Sequence, residues 1–136
     1  MTDTSPAPSS TGRPRLVLRG AAVLETLLPD AAVVVDGGVV TYAGPSSGLT
    51  PTPDDGVVDL AAGEVMVPGL VDLHCHGAYG VDFSRADASS IREAVAGLHR
   101  AGSTTVMASL VTDEPEVLLR QMSVLAGLAE DGHIAG

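Results

Sequence analysis

The stretch Val67-Pro68-Gly69-Leu70-Val71-Asp72-Leu73-His74-Cys75-His76-Gly77 limits what this chain can fold into more than any other. It is an apolar run of strand length that ends in two histidines one residue apart. Strand side chains alternate faces, so Leu70, Asp72, His74 and His76 share one face, and Val71, Leu73 and Cys75 share the other. Before this stretch the sequence consists of short apolar runs broken by glycine. After it, apolar residues recur at helical spacing. A change of period from two to 3.6 marks the passage from an all-β part to strands alternating with helices.

Upstream, residues 1–14 (MTDTSPAPSSTGRP) are mostly Ser, Thr and Pro and predict a disordered leader. From Arg15 short strands are expected at Leu16–Leu18, Ala21–Leu24, Ala32–Val35, Val39–Ala43, Val57–Leu60 and Glu64–Val67. Asp36-Gly37-Gly38 between β-branched runs is a hairpin signal. Residues 15–66 therefore predict the N-terminal part of a small β-sandwich domain.

Downstream, Ser90 and Glu93 fit a capping box, and Ile91, Val95, Leu98 and Ala101 fit the buried stripe of a helix that stops at Gly102. Ser103–Val111 reads as a second buried strand. Asp113 and Glu116 open a second helix with Pro115 in its first turn, and Leu118, Met122, Leu125 and Ala129 form its stripe. A third strand is due at His133-Ile134-Ala135-Gly136. The fold class is α/β: residues 67–136 read as the first two βα units of a (β/α)8 TIM-type barrel. Such a barrel needs about 250 residues, so the chain reads as truncated, the N-terminal piece of a longer protein. The competing reading is a complete two-layer domain, which two parallel strands support poorly on their own.

The formal net charge of −10, with all seven basic residues arginine, argues against nucleic acid or an anionic membrane as partner. A single cysteine, Cys75, rules out an internal disulfide and fits a reducing compartment. There is no apolar core near the N-terminus for a secretory signal, and no run near the ~20 apolar residues of a membrane span. A soluble cytoplasmic protein is expected.

His74 and His76 are the candidate metal ligands. Zinc takes neutral imidazole nitrogen and wants four ligands, or three plus water in a catalytic site, so the pair needs at least one more ligand from elsewhere. Two histidines bonded to backbone carbonyls at a strand end would be the plainer explanation. The place of the pair at the C-terminal end of a parallel-type strand, where such folds set their active sites, favours the metal. Imidazole suits iron and other divalent ions as well as zinc. Asp72, two residues deeper on the same face, either orients a ligand or a neighbouring loop or simply bonds backbone amides. Cys75 faces away and reads as core. His99 suits a helix C-terminus, His133 a turn, Thr104 and Thr105 a strand, Glu93 and Glu116 helix caps, and Asp82 a solvated turn.

Val67–Gly77, following a glycine-rich β half, resembles the first barrel strand of the amidohydrolase superfamily. Three further segments resemble its N-acetylglucosamine-6-phosphate deacetylases: Gly77-Ala78-Tyr79-Gly80-Val81-Asp82-Phe83, His99-Arg100-Ala101-Gly102-Ser103-Thr104-Thr105 with Ser109-Leu110-Val111-Thr112, and Asp131-Gly132-His133-Ile134-Ala135-Gly136. The resemblance spans residues 16–136. It implies metal-dependent hydrolysis of N-acetylglucosamine 6-phosphate to glucosamine 6-phosphate and acetate, with zinc as the expected metal and His74 and His76 serving one position of a two-metal site. It implies a sugar-phosphate substrate and a homodimer. The catalytic aspartate, the glutamate ligand and two further histidines belong to later strands, so no catalytic residue is expected within this segment. Rival readings are another amidohydrolase, such as a dihydroorotase, isoaspartyl dipeptidase or deaminase, or an inactive, non-catalytic fragment. Against dihydroorotase, His76 is followed by Gly77 with no arginine close behind.

Overall fold

A computed structural model describes residues 14–136, which fall into two compact units divided between Pro68 and Gly69. All of the expected leader except Pro14 lies outside the described residues.

The first unit is a five-stranded sheet. Strands β1 (Leu16–Val23), β2 (Leu27–Asp36), β3 (Val39–Pro45) and β4 (Gly56–Asp59) take the order β3-β2-β1-β4, and β5 (Val65–Met66) pairs with β1 beyond β4. β1–β2 and β2–β3 are antiparallel, whereas β4 and β5 run parallel to β1. The Asp36–Val39 pair closes a two-residue turn in which Gly37 and Gly38 have φ of 58° and 84°. Positive φ at both positions is the demand of a type I′ turn, which glycine meets without strain. The two runs expected on either side of Gly20 are one strand: Gly20 adopts φ 149° and the register with β2 shifts between Gly20 and Ala22, so the irregularity is absorbed as a bulge. Val17, Ala22, Ala31, Ala32 and Val34 are buried. The second sheet that would complete a sandwich is not among the described residues.

Two bidentate ion pairs clamp β1 and the residue before it to β4 and the residue before it. Arg15 donates to both carboxylate oxygens of Asp55 at 2.8 and 2.7 Å, and Arg19 to both of Asp59 at 2.7 and 2.8 Å. Both pairs share the 40-residue offset of the parallel register, in which Leu16 pairs with Gly56 and Arg19 with Asp59.

The second unit is a parallel pair, β6 (Leu70–Cys75) and β9 (Ser103–Ala108), joined through a small antiparallel hairpin, β7 (Gly77–Ala78) with β8 (Val81–Asp82), and helix α1 (Ala88–Arg100). Helix α2 (Pro115–Glu130) follows β9. The segment after α2 already runs beside β9. Ala135 N–H donates to the Val106 carbonyl at 2.9 Å and Ala108 N–H to the Gly136 carbonyl at 2.7 Å, with Ile134 buried. The third-strand position is therefore occupied on the side of β9 away from β6. Phe83, Ile91, Val95, Val106, Leu125, Leu128, Ile134 and Cys75 make one core.

Two helix readings are corrected. The N-cap of α1 is Asp87, whose carboxylate accepts from Ser90 N–H at 2.8 Å and Ser89 Oγ at 2.6 Å. Ser90 thus lies inside the first turn, and Glu93 is not a cap: an aspartate three residues earlier competes for the same N–H and wins. In α2, Glu114 occupies the N-cap position without a side-chain bond, Pro115 follows it, and Glu116 lies in the first turn as a charge favourable to the dipole rather than as a cap. The buried stripe of α2 is Gln121, Leu125 and Leu128, while Met122, expected inside, is 57% exposed. The helix is rotated from the apolar count because Gln121 finds acceptors in the interior. Its Nε2 donates to the carbonyls of Phe83 and Ala86, both at 2.8 Å.

Candidate metal centre

β6 sets the two histidines on one face, but it is not the buried strand its apolar run predicts: Leu70, Val71 and Leu73 are exposed, because among the described residues β6 has a strand partner, β9, on one edge only. Cys75 turns into the core, and His74 and His76 are exposed on the opposite face. Their Nε2 atoms stand 2.8 Å apart, with ring centroids 4.6 Å apart and ring planes at 78°. With one ring protonated at Nε2 this contact is a hydrogen bond. With both Nε2 atoms unprotonated, the same contact sets two imidazole donors side by side. Imidazole nitrogens each about 2.0–2.1 Å from one tetrahedral zinc ion stand roughly 3.3 Å apart, so the two rings, now 2.8 Å apart, need to open by only about half an ångström to share one ion. The pair supplies two donors, and among the described residues no group of three or more His, Cys, Asp or Glu converges on one point.

The backbone on both sides of the pair is tied down. Asp72 Oδ1 accepts from the His74 backbone N–H at 3.1 Å, a bond that holds the backbone of one of the two histidines. The carbonyl of Cys75 accepts from Ser109 N–H at 2.8 Å, which locks the end of β6 to the segment after β9. The carbonyl of His76 accepts from Phe83 N–H at 2.9 Å, closing the hairpin of β7 and β8 on itself. Gly77, with φ 152°, is required there, because a Cβ would overlap the Val81 carbonyl oxygen. Tyr79 takes a left-handed φ of 52° and donates its hydroxyl to the Gly97 carbonyl at 3.0 Å, pinning the hairpin tip to α1.

Burial pushes the Cys75 thiol above its ordinary value, and its Sγ lies 3.7 Å from the Gly77 carbonyl. Cys75 is packed in the core on the face opposite the two imidazoles, as a small buried residue. His99 is in the last turn of α1, where a cation meets the dipole favourably. His133 Nε2 accepts from Arg92 at 2.9 Å. Asp82 caps its own turn by accepting from Ser84 N–H at 2.8 Å. None of these joins the histidine pair. Gln121 and Ser84, both buried, carry structural bonds around the hairpin that the apolar pattern did not single out. The available signal for Gln121 was its spacing of four and seven from Leu125 and Leu128.

No family model matches the chain. Among solved structures, an N-acetyl-D-glucosamine-6-phosphate deacetylase from Mycobacterium smegmatis, in complex with N-acetyl-D-glucosamine-6-phosphate, is 38% identical with a TM-score of 0.76. The match covers 91% of this chain and 32% of that one. A second structure of a deacetylase from the same organism is 40% identical with a TM-score of 0.74, covering 89% of this chain and 34% of that one. Among curated proteins, an imidazolonepropionase of Pseudomonas putida is 31% identical over 110 residues, which is 77% of this chain and 27% of that protein. The N-acetylglucosamine-6-phosphate deacetylase of Bacillus subtilis is 30% identical over 98 residues, 65% of this chain and 25% of that protein. The chain thus spans between a quarter and about a third of the length of these relatives.

Proposed function

We propose that this chain, which belongs to the amidohydrolase superfamily and resembles the N-terminal part of its N-acetylglucosamine-6-phosphate deacetylases, supplies two metal ligands to a hydrolase that removes the acetyl group of an N-acetylated amino-sugar phosphate. The observation that carries the reading is the 2.8 Å approach of His74 and His76 Nε2 at the C-terminal end of β6. The chemistry of the donor set supports it: two imidazoles on a fixed strand end suit a borderline-soft divalent ion, zinc first. A divalent ion there supplies Lewis-acid polarisation and water activation at neutral pH. The chain's own residues set the pair in place. Asp72 fixes the His74 amide, Ser109 fixes the Cys75 carbonyl, and Phe83 fixes the His76 carbonyl. The remaining ligands, the group that moves the proton and the phosphate contacts would come from outside the described residues. The two βα units then open a (β/α)8 barrel, and the active protein is a cytoplasmic homodimer.

A second reading rests on the imidazolonepropionase likeness: the same metal pair would serve hydrolysis of imidazolonepropionate. The deacetylase is preferred because its solved structures are 38–40% identical over nine-tenths of the chain. The full-length protein carrying this chain, assayed for acetate release from N-acetylglucosamine 6-phosphate, decides between them. Release that is lost on chelation and restored by zinc is expected. Turnover of imidazolonepropionate with no acetate release would overturn the deacetylase reading.

A further inference from the structure

The interior of the second unit holds one buried side-chain amide, that of Gln121, 5% exposed among Leu125, Leu128 and Phe83. Glutamine is rarely buried unless its polar atoms are satisfied. Its Nε2 donates at 2.8 Å to the carbonyls of Phe83 and Ala86, on the segment that leads from β8 to α1. The same Phe83 residue donates its N–H to the His76 carbonyl at 2.9 Å. Two hydrogen bonds through one residue thus join α2 to the backbone of a histidine of the pair. The chain between His76 and Phe83 turns back on itself through the β7–β8 hairpin, so Phe83 is where that turn is closed. Its ring is fully buried, and Gln121 fixes its carbonyl.

We propose that Gln121 is a positioning residue for the metal pair: by holding Phe83 it fixes the His76 backbone, and so the Nε2–Nε2 approach to His74. The inference rests on the reading of His74 and His76 as ligands. A chelate tolerates displacements of only about 0.5 Å before its geometry is spoiled, and groups that orient ligands typically change metal affinity by about 10–100-fold. Ser84 provides the contrast. It is also buried and ties the same segment to the stretch after β9 by accepting from Val111 N–H at 2.9 Å, but that bond does not involve His76 or Phe83.

The test measures the zinc dissociation constant of the full-length protein by competition with a chromogenic chelator, together with the melting temperature of the metal-free form. Gln121→Met keeps the length and removes both donors; it is expected to weaken zinc binding by about tenfold or more. Ser84→Ala is expected to lower the melting temperature and leave zinc affinity within about twofold. If Gln121→Met does not fold, Gln121→Asn, which is too short to reach both carbonyls, should weaken binding by a smaller factor. A folded Gln121 variant with lowered melting temperature and wild-type zinc affinity would make Gln121 a packing residue and overturn the proposal. His74→Ala is the reference: if it too binds zinc as wild type does, the ligand reading itself fails and the positioning role falls with it. If His74→Ala loses zinc and the Gln121 variants do not, only the positioning role fails.

Discussion

The two units are stabilised by different means. Among the described residues, the sheet before Gly69 buries nothing larger than valine: its interior positions are Val17, Ala22, Ala31, Ala32 and Val34. Val39, Val40, Val57, Val58 and Val65 remain exposed. Its order comes from backbone ladders, the Gly37-Gly38 turn and two bidentate Arg–Asp pairs set by one register. The unit from Gly69 onward buries Phe83, Ile91, Val95, Val106 and Leu128 in a continuous core, and its ion pairs are peripheral. A sheet specified by register is sensitive to charge and turn chemistry. A layered βα unit is sensitive to interior volume, and so is any site whose backbone ties run through its core.

The sharpest way to break this contrast is to remove volume from the second unit. Phe83→Ala should cost about 3–5 kcal/mol. Hydrogen exchange read by mass spectrometry should show the loss in peptides from residues 69–136 and leave the β1–β2–β3 ladder protected. Equal loss in both units would mean that they unfold as one.

A smaller effect should appear in the first unit, as a pH dependence. The Arg15 guanidinium, with the Thr52 amide, holds the Asp55 carboxyl well below the usual carboxylate range, and the Asp55 side chain is only 3% exposed. A depressed folded-state pKa contributes stability that is fully present above the unfolded value of about 3.9, and lost as pH falls below it toward the folded value. Asp55→Asn should therefore lower stability at pH 7. It should also flatten the fall in melting temperature as the pH drops below about 4. An unchanged acid slope would remove the ion pair from the explanation of how the sheet is held.

The smallest effect tests the rotation of α2. Met122→Ala should change stability by no more than about 0.5 kcal/mol. Leu128→Ala on the same helix should cost roughly 2–5 kcal/mol. Comparable losses from denaturant unfolding would restore the stripe through Met122.

What the sequence made legible follows the same division. The Asp36-Gly37-Gly38 turn, the strand carrying Leu70 to Cys75 and the common face of His74 and His76 were readable because each rests on local geometry: positive φ at glycine, or the two-residue period of a strand. The one-strand character of β1 was hidden, since Gly20 looks like a break and serves as a bulge. The cap at Asp87 is masked by the fuller local pattern of Ser90 and Glu93, and the choice between caps depends on where the chain enters the helix. The burial of Gln121 could not be read from apolar periodicity, because its acceptors, Phe83 and Ala86, lie 38 and 35 residues away. The ties that hold the histidine pair are of this long-range kind, whereas the pair itself is local.

The central claim is that His74 and His76 bind metal together. Elemental analysis of the purified full-length protein and its His74→Ala variant tests it most directly. The variant should retain less metal per chain than the wild type, while its far-ultraviolet circular dichroism stays unchanged. Equal metal content in the two folded proteins would contradict the assignment.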